Sequence, residues 1–476
     1  MLAATDLMRL LPVGGLVALL VALSLAPVAP VAPVPTPSQL AWQRQELHAF
    51  VHFGPNTFSG AEWGNGREDP KAFNPTDFDA RQWVRTFKQA GFTGVIITAK
   101  HHDGFCLWPT KYSSHSVKAS PWRNGDGDVL REVSEACRAE GLGFGVYLSP
   151  WDRNHPTYGT PEYNRVFDNM LSEVLGRYGP IFEVWFDGAN GEGPSGHRQE
   201  YDWPLFVSTV RRLQPKAVIF SDAGPDVRWV GNERGEAPLT VWSMIDRHRY
   251  YPGTPLSDEL GEGTQFGENW VPAECDVSIR PGWFYRSSED TKVKSASTLL
   301  HLYERSVGRN CTLLLNVPPD RRGQLAAPDV TALAGFRRAL DATYGPDLMA
   351  GTKVTGSSER PDAPARNVLD EDADSYWAPS AALPATLTLE LYRATAFDRI
   401  VLQEAIALGQ RVGAFIVEAD TADGWQRIAT GTTIGHKRII PVPLTTANAI
   451  RLTIVESRDA PAIARIALAR TASPSS

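Results

Sequence analysis

The sequence predicts an α/β protein in which a (β/α)8-type barrel is followed by an all-β sandwich of the jelly-roll kind. Two observations carry this prediction. Between residues 42 and 344, about eight short apolar runs alternate with amphipathic helical stretches, as in a (β/α)8 barrel. From residue 345 onward, short segments alternate between apolar and polar residues, which indicates a sandwich. We therefore expect a barrel domain over residues 36–349 and a sandwich domain over residues 350–476.

The composition is that of a folded, acidic protein. The chain has 476 residues, a formal net charge of −7 and 42% hydrophobic residues, which excludes global disorder. No basic stretch is long enough to indicate nucleic-acid binding. Cys106, Cys137, Cys275 and Cys311 show no CxxC spacing and are too few for a disulfide scaffold. The 14 Trp, 13 Tyr and 19 Phe residues suit either a core or a cleft in which sugar rings stack on aromatic side chains.

A signal peptide is predicted at the N-terminus. Arg9 supplies a positive charge, residues 10–25 are almost wholly apolar, and the small residues Ser24 and Ala26 precede a Pro-rich stretch. The apolar run of about 16 residues is shorter than the ~20 needed to span a bilayer, although a retained anchor stays the alternative. We expect residues 1–35 to be a signal peptide and Pro-rich tail. The exported protein would be periplasmic or secreted, with no stable membrane span after cleavage.

Eight short runs are the candidate barrel strands. Their nearly continuous apolar character suits strands that a parallel sheet buries on both faces. They are residues 48–54, 94–100, 143–149, 181–187, 217–222, 239–244, 282–285 and 311–317. The helical patterns between them lie at residues 77–90, 129–140, 162–177, 200–213, 296–308 and 330–342. A doubly wound open sheet fits less well, because HFGPNTF after the first run is not a GxGxxG phosphate loop.

The C-terminal region carries the second set of candidate strands. A Gly/Ser/Pro-rich stretch over residues 351–366 separates this region from the alternating strand and helix patterns before it. The short alternating segments that follow predict an antiparallel sandwich rather than further βα units. They are residues 385–391, 398–402, 414–419, 424–429, 438–442 and 449–455.

Polar and aromatic side chains stand at the ends of several candidate barrel strands. In a (β/α)8 barrel the active site lies at the C-terminal ends of the strands, so these side chains would converge. Those at or just after the strand ends are His52, Lys100, His101, His102, Asp103, Tyr147, Trp151, Trp185, Asp187, Asp222 and Asn316.

Asp187 is the sharpest single candidate among them. It directly follows the apolar run IFEVWF, so a rigid strand end would aim its carboxylate, and Trp185 would limit its hydration. Fixed aim and partial desolvation are what a carboxylate nucleophile requires. The competing interpretation is a turn or helix-capping Asp in an Asp-Gly pair. The converging histidines favour the nucleophile.

The histidines do not predict a catalytic metal or any other cofactor. His101 and His102 are adjacent, so on a strand their side chains would point to opposite faces. His48 and His52 form HxxxH, but the surrounding residues indicate a strand, and no HExxH helix is present. We expect histidines that donate hydrogen bonds to sugar hydroxyls instead. A serine hydrolase is disfavoured because the chain has no GxSxG.

The barrel region resembles the α-L-fucosidases of glycoside hydrolase family 29. The resemblance runs over almost the whole barrel segment, with several motifs in the family's order. The matching stretches are FVHFGPNTF (50–58), AEWG (61–64), VIITAKHHDGFCLWPTKYS (95–113), VYLSPWD (146–152), VWFDGANGEG (184–193), VRWVGNERG (227–235) and AECDVSIRPGWFYR (273–286). The last two resemble the subgroup that prefers branched, terminal α-1,3/1,4-linked fucose, so fucosylated oligosaccharides or glycoconjugates are the implied substrates.

The resemblance implies a retaining mechanism through a covalent glycosyl-enzyme intermediate. Asp187 would be the nucleophile. The residues implied to contact or surround fucose are His52, Glu62, Trp63, His101, His102, Tyr147 and Trp185. The tryptophans expected near the strand ends and the cleft are Trp63, Trp108, Trp151, Trp185, Trp229 and Trp283.

Two glutamates compete for the acid/base role. Retention requires two carboxyl groups ~5–5.5 Å apart, so the partner of Asp187 must come from a neighbouring strand end or loop. Glu233 in VGNERG is preferred, with Trp229 nearby to help raise its pKa. Glu274 is the second candidate, or else a substrate-binding residue beside Arg280 and Trp283 on the aglycone side. No metal is implied.

The segment ARNVLDEDADSYWAP (365–379) resembles the discoidin-like (F5/8 type C) modules, many of which bind carbohydrate. Two interpretations stay open, namely a module that packs against the barrel and one that binds glycan. Asp370, Asp372 and Asp374 suggest a Ca²⁺ loop or a plain acidic turn, since they do not follow an EF-hand pattern.

Other functions stay as alternatives to an α-L-fucosidase. One is a retaining glycosidase of the same fold with another sugar specificity. Another is a non-catalytic glycan-binding protein on a decayed barrel. A nicotinamide oxidoreductase is weakest, because the phosphate loop is missing.

Overall fold

The computed structural model describes residues 28–255 and 258–472. Residues 1–27, which make up most of the predicted signal peptide and Pro-rich tail, lie outside the described residues. No helix within the described ranges is long and apolar enough to cross a membrane.

Eight parallel strands close into a barrel in the spatial order β1-β10-β9-β6-β5-β4-β3-β2. This closed barrel confirms the predicted α/β class. The barrel strands are β1 (Leu47–Val51), β2 (Gly94–Lys100), β3 (Gly143–Leu148), β4 (Glu183–Trp185), β5 (Val218–Ser221), β6 (Val227–Trp229), β9 (Ala273–Ser278) and β10 (Cys311–Asn316). The long connection between β6 and β9 contains a short antiparallel pair, β7 (Met244–Ile245) and β8 (Asn269–Trp270).

Helices pack around the barrel and connect its strands. They are α1 (Pro37–Gln45), α2 (Pro55–Ser59), α3 (Ala80–Ala90), α4 (Val129–Glu140), α5 (Pro161–Arg177), α6 (Trp203–Leu213), α7 (Asp258–Glu262), α8 (Ala296–Arg305) and α9 (Ala327–Tyr344). Short 3-10 turns lie at Pro70–Ala72, Val117–Ala119, Trp122–Gly125, Arg247–Arg249, Ser287–Lys292, Ala365–Leu369 and Ile406–Leu408.

Helix α3 shows how local sequence sets these elements. The Asp79 carboxylate accepts hydrogen bonds from the backbone N–H groups of Arg81 and Gln82, which caps the helix start. Gly91 ends the helix with φ of 92°, a left-handed conformation that glycine adopts at low cost. Trp83 and Phe87 lie on the buried face. Asp79 is therefore the N-cap of this helix, two residues after the start of the predicted helical pattern at residue 77.

The predicted sixth and seventh strands are wrong. Residues 239–244 contribute only Met244 to the β7–β8 pair, and residues 282–285 form no strand. The barrel instead uses β6 and β9, whose inward-facing side chains include charged groups such as Glu274 and Asp276. Those charges interrupt the apolar run that was used to recognise buried strands.

The C-terminal sandwich is antiparallel throughout, with strand order β11-β12-β15-β13-β14 and β16 paired to β12. Its strands are β11 (Lys353–Gly356), β12 (Ala385–Glu404), β13 (Val412–Thr421), β14 (Gly424–Gly431), β15 (Arg438–Ser457) and β16 (Ile463–Ala469). Two pairs of predicted short segments are single long strands, because β12 and β15 each run for 20 residues through bulges. Trp377, Leu387 and Leu452 lie in its apolar core.

The sandwich packs closely on the barrel through buried polar contacts. Arg399 Nε is 2.8 Å from Glu304 Oε1, with both side chains largely buried. Asn310 donates from Nδ2 to the Val241 carbonyl and accepts from the His436 backbone N–H on the sandwich side. These contacts fit the packing interpretation of the module. They leave glycan binding as an untested prediction.

Candidate active site

An open cavity of about 300 Å³ lies at the C-terminal ends of the barrel strands. It is lined by Phe50, His52, Trp63, His101, His102, Tyr147, Trp185, Asp187, Gly188, Ala189, Asp222, Trp229, Glu233, Gly253, Thr254, Asp276 and Trp283. Nine of the twelve predicted catalytic or substrate-binding residues, Glu233 among them, line this cleft directly. The predicted residues outside the lining are Glu62, Glu274 and Arg280.

Asp187 is held in a fixed orientation just beyond β4. The Tyr147 hydroxyl donates to Asp187 Oδ2 at 3.0 Å, and the Ala189 backbone N–H donates to Oδ1 at 2.7 Å. His102 Nε2 lies 3.7 Å from Oδ2. The side chain is 24% exposed, so the carboxylate is oriented by the protein yet open to the cleft. This is the geometry that a carboxylate nucleophile needs.

The three cleft histidines are neutral. Burial lowers the pKa of His52 to about 3 and that of His102 to about 4, and burial also lowers the pKa of His101. His52 Nδ1 donates to Asn316 Oδ1 at 2.8 Å. His102 Nδ1 donates to Ser149 Oγ, since that hydroxyl gives its own proton to the Trp151 carbonyl.

These tautomers correct one prediction. With Nδ1 protonated in His52 and His102, Nε2 is left as an acceptor toward the cleft. We predicted histidines that donate to sugar hydroxyls, whereas in these tautomers Nε2 of both side chains has only a lone pair to offer to a hydroxyl group. The adjacent rings of His101 and His102 also lie on the same side, 4.2 Å apart, because β2 ends at Lys100 and strand alternation stops there.

Aromatic rings form the walls of the cleft. Tyr147 stacks on Trp185 with ring centroids 5.3 Å apart, and Trp185 stacks on Phe220 at 4.0 Å. Trp63 is 55% exposed and stands edge-on to His102, so it offers a free ring at the entrance. Trp108 was expected near the cleft, but it does not line it. It is fully buried, and its indole N–H donates to Glu173.

Glu233 lies in the exposed loop that follows β6. Trp283 donates from Nε1 to Glu233 Oε2 at 3.3 Å, which turns the carboxyl toward the cleft. Partial burial raises the pKa of Glu233, and the nearby charges of Asp187 and Glu62 raise it further. Glu62 contacts the segment that follows β9, where it accepts a hydrogen bond from the Trp283 backbone N–H and pairs with Arg286. Glu62 thus positions Trp283 beside Glu233.

Glu274 and Arg280 do not reach the cleft. The Glu274 carboxyl is sealed inside the barrel, where Oε1 accepts from the Trp185 indole at 2.8 Å. Burial raises its pKa to about 8, which alone would suit a general acid, but its position below Trp185 keeps it from a glycosidic oxygen. The buried Arg280 guanidinium is bound by Asp329 at 2.6 Å and by Asp290 at 2.9 Å.

Two further carboxyl groups line the cleft: Asp222, which the sequence predicted at the rim without a role, and Asp276, which it did not predict there. Asp222 follows β5 and accepts from the Gly253 backbone N–H at 2.8 Å. Burial, followed by the Asp187 charge, raises its pKa to about 6. Asp276 lies on β9 and accepts from the Trp229 indole at 2.6 Å, and burial raises its pKa. The position of Asp222 at a strand end was a usable signal, whereas Asp276 lies on a strand that was not recognised.

A barrel whose strand ends hold a fixed carboxylate, a second carboxyl group with a raised pKa and aromatic walls defines a glycoside hydrolase. The profile of the alpha-L-fucosidase family matches residues 37–341, and that of the F5/8 type C domain matches residues 353–468. The chain belongs to the α-L-fucosidase family, glycoside hydrolase family 29.

Individual relatives agree with this assignment. Alpha-L-fucosidase 1 of Arabidopsis thaliana is 44% identical over 91% of this chain and 87% of its own length. The crystal structure of SpGH29 superposes with a TM-score of 0.90 at 41% identity, covering 94% of this chain and all of that one. A Ruminococcus gnavus family 29 fucosidase in complex with fucose superposes with a TM-score of 0.87 at 35% identity, covering 93% and 96%.

Proposed function

We propose that the protein is a retaining exo-α-L-fucosidase that releases terminal α-L-fucose from glycans. The observation that carries this proposal is the fixed carboxylate of Asp187, oriented by Tyr147 and Ala189 in the same cleft that the Glu233 carboxyl group lines. The solved relative that binds fucose, and the alpha-L-fucosidase names of the other relatives, support the choice of sugar.

The proposed reaction has two steps. Asp187 attacks the anomeric carbon while Glu233 gives its proton to the leaving oxygen, which forms a glycosyl ester and frees the aglycone. Glu233 then takes a proton from water, which attacks the anomeric carbon, releases fucose and restores Asp187. The raised pKa of Glu233 supports the first role, because a general acid must hold its proton near the working pH.

The cleft supports recognition of a deoxy sugar. His52 and His102 offer acceptor nitrogens to hydroxyl groups, while the rings of Tyr147, Trp185 and Trp283 offer apolar faces for the C6 methyl group. Fucosylated oligosaccharides or glycoconjugates are therefore the proposed substrates. The stretches VGNERG and ECDVSIRPGWF support a preference for α-1,3/1,4-linked fucose.

One experiment tests sugar, linkage and stereochemistry together. The purified protein is incubated with 2′-fucosyllactose or with a Lewis-type trisaccharide, and the first-formed fucose anomer is followed by proton NMR. We expect faster cleavage of the Lewis-type sugar with α-fucose as the first product. β-Fucose as the first product would overturn retention, and faster cleavage of 2′-fucosyllactose would overturn the linkage preference. Cleavage of an aryl β-galactoside but not of an aryl α-L-fucoside would favour another glycosidase.

We also propose that the protein is exported and that residues 36–349 and 350–476 are its two domains. Export is supported by Arg9 and the apolar run over residues 10–25. N-terminal sequencing of the protein purified from its own host tests this, with a start near residue 27 to 36 expected. A start at Met1 in the cytoplasmic fraction would contradict it.

A further inference from the structure

A second cluster of polar side chains lies inside the barrel, beneath the cleft, and the proposed reaction does not use it. His48 comes from β1, Glu183 from β4 and Glu274 from β9, and all three side chains are fully buried. His48 Nδ1 is 3.7 Å from Glu183 Oε2 and 3.9 Å from Glu274 Oε2. These separations are too long for direct hydrogen bonds, so the three groups face one common space.

Polar atoms in this space lack partners. Among the described residues, His48 Nδ1, Glu183 Oε1 and Glu274 Oε2 are buried without a hydrogen-bond partner. An unpaired buried polar group is costly, and two carboxyl groups facing each other add repulsion. Glu173 shows the usual solution, since it accepts from Trp108 and Thr110 and pairs with Arg177. No lysine or arginine within residues 28–255 and 258–472 pairs with either cluster carboxylate.

Hydrogen bonds around the cluster fix the direction of each group. Trp42 donates from its indole to Glu183 Oε2 at 2.7 Å, and Trp185 donates to Glu274 Oε1 at 2.8 Å. Gln45 Oε1 lies 2.8 Å from His48 Nε2, so it accepts that N–H and leaves the lone pair of Nδ1 pointing into the cluster. Such outer-shell bonds are typical of metal-ligating histidines and carboxylates.

We propose that His48, Glu183 and Glu274 bind one divalent transition-metal ion inside the barrel, with Zn²⁺ as the ion that the donor set suits best. One imidazole nitrogen and two carboxylate oxygens are common ligands of Zn²⁺. Two atoms bound at about 2.1 Å to one ion lie about 3.4–4.2 Å apart, from the tetrahedral to the linear arrangement. The observed 3.7 and 3.9 Å fall in this range. The ion would also neutralise both buried carboxylates.

The role of this ion is structural. The site is closed to solvent, so the ion would enter during folding. It would hold Glu274, which orients Trp185 in the floor of the cleft, and no step of hydrolysis passes through it. The competing occupant is a water molecule with protons shared among the three groups, and the experiment distinguishes the two.

The test is elemental analysis of the full-length protein, purified without a metal-affinity column and dialysed against chelator. We expect close to one equivalent of a transition metal per chain. Glu183→Gln should lower this to near zero, while Glu173→Gln, which changes a buried glutamate elsewhere in the barrel, should leave it unchanged. Refolding in chelator should lower the thermal midpoint, and refolding with Zn²⁺ should restore it in the wild type but not in Glu183→Gln.

The opposite outcomes would overturn the proposal. They are less than a tenth of an equivalent in the wild type with no gain after refolding in Zn²⁺, or an unchanged metal content in Glu183→Gln. If Glu183→Gln does not fold, His48→Gln replaces it, and the wild-type metal content decides alone if neither variant folds.

Discussion

The cluster beneath the cleft is built from β1, β4 and β9, three of the strands that also carry cleft residues, yet the two sites have different chemistry. β1 carries His48 in the interior and leads to His52 at the rim. β4 carries Glu183 and leads to Asp187, and β9 carries Glu274 and Asp276. Because side chains on a strand alternate, residues two or four apart both point into the barrel and lie in successive layers. Height along the strand therefore separates Asp187, the proposed nucleophile, from the buried carboxyl groups of Glu183 and Glu274.

The first test of this comparison removes one carboxylate from each layer in separate variants, and it has the largest expected effect. Asp187→Ala should lower kcat on an aryl α-L-fucoside by about 10³-fold or more, because it removes the carboxylate proposed to form the glycosyl ester. Fucose binding, measured by calorimetry, should persist. Glu274→Gln keeps an oxygen for the Trp185 indole and should retain most of the activity. Equal losses in the two variants would contradict the separation into layers.

The second test concerns only the cleft and asks whether Glu233 is the general acid/base. Glu233→Ala should lower kcat/KM by about 10²–10⁴-fold on natural glycans, where the leaving group needs a proton. The loss should be smaller on aryl fucosides with good leaving groups, and azide should restore activity there. Because the proton of Glu233 is lost as pH rises through its raised pKa, the variant should also lack the alkaline fall in rate. Azide rescue of Glu274→Ala instead would overturn the assignment.

Trp185 connects the two layers and allows an intermediate test. Trp185→Phe keeps a ring beside Tyr147 but leaves Glu274 Oε1 without its donor, at a cost of about 1–3 kcal/mol in unfolding free energy. The matched control is Trp108→Phe, where Glu173 keeps Thr110 and Arg177 as partners. A urea titration should show the larger loss for Trp185→Phe. A larger loss for Trp108→Phe would mean that Glu274 does not depend on this bond.

The layers also explain which site residues the sequence could predict. His52 and Asp187 end apolar runs, so their place at the rim follows from strand recognition and barrel topology alone. His101 and His102 were placed on opposite faces because the end of β2 at Lys100 could not be read from VIITAKHH. A strand that continues through His101 and a strand that ends at Lys100 are both compatible with this residue pattern, and only the backbone conformation distinguishes them.

β9 shows why the rest could not be predicted. In AECDVS the inward positions Glu274, Asp276 and Ser278 are polar, so the segment contains no apolar run that would indicate a buried strand. The family resemblance then supplied Glu274 and Arg280 as residues near the sugar but not their depth or their partners. A period-two alternation of polar and apolar residues was present and would have indicated a strand lining a polar interior.

His52, a cleft histidine, gives the last test, in which the pH dependence of stability is measured and no activity assay is needed. Burial keeps His52 neutral in the folded state down to about pH 3, whereas in the unfolded chain it takes a proton below its ordinary value of 6.5. The unfolded state thus binds more protons between these limits, so stability falls as pH falls through this window. His52→Gln should flatten this dependence by about 1.4 kcal/mol per pH unit, the contribution of one proton. Urea midpoints at pH 4.5, 5.5 and 6.5 measure it, with the exposed His301→Gln as control. An unchanged slope in His52→Gln would show that His52 is already protonated in the folded cleft over this range.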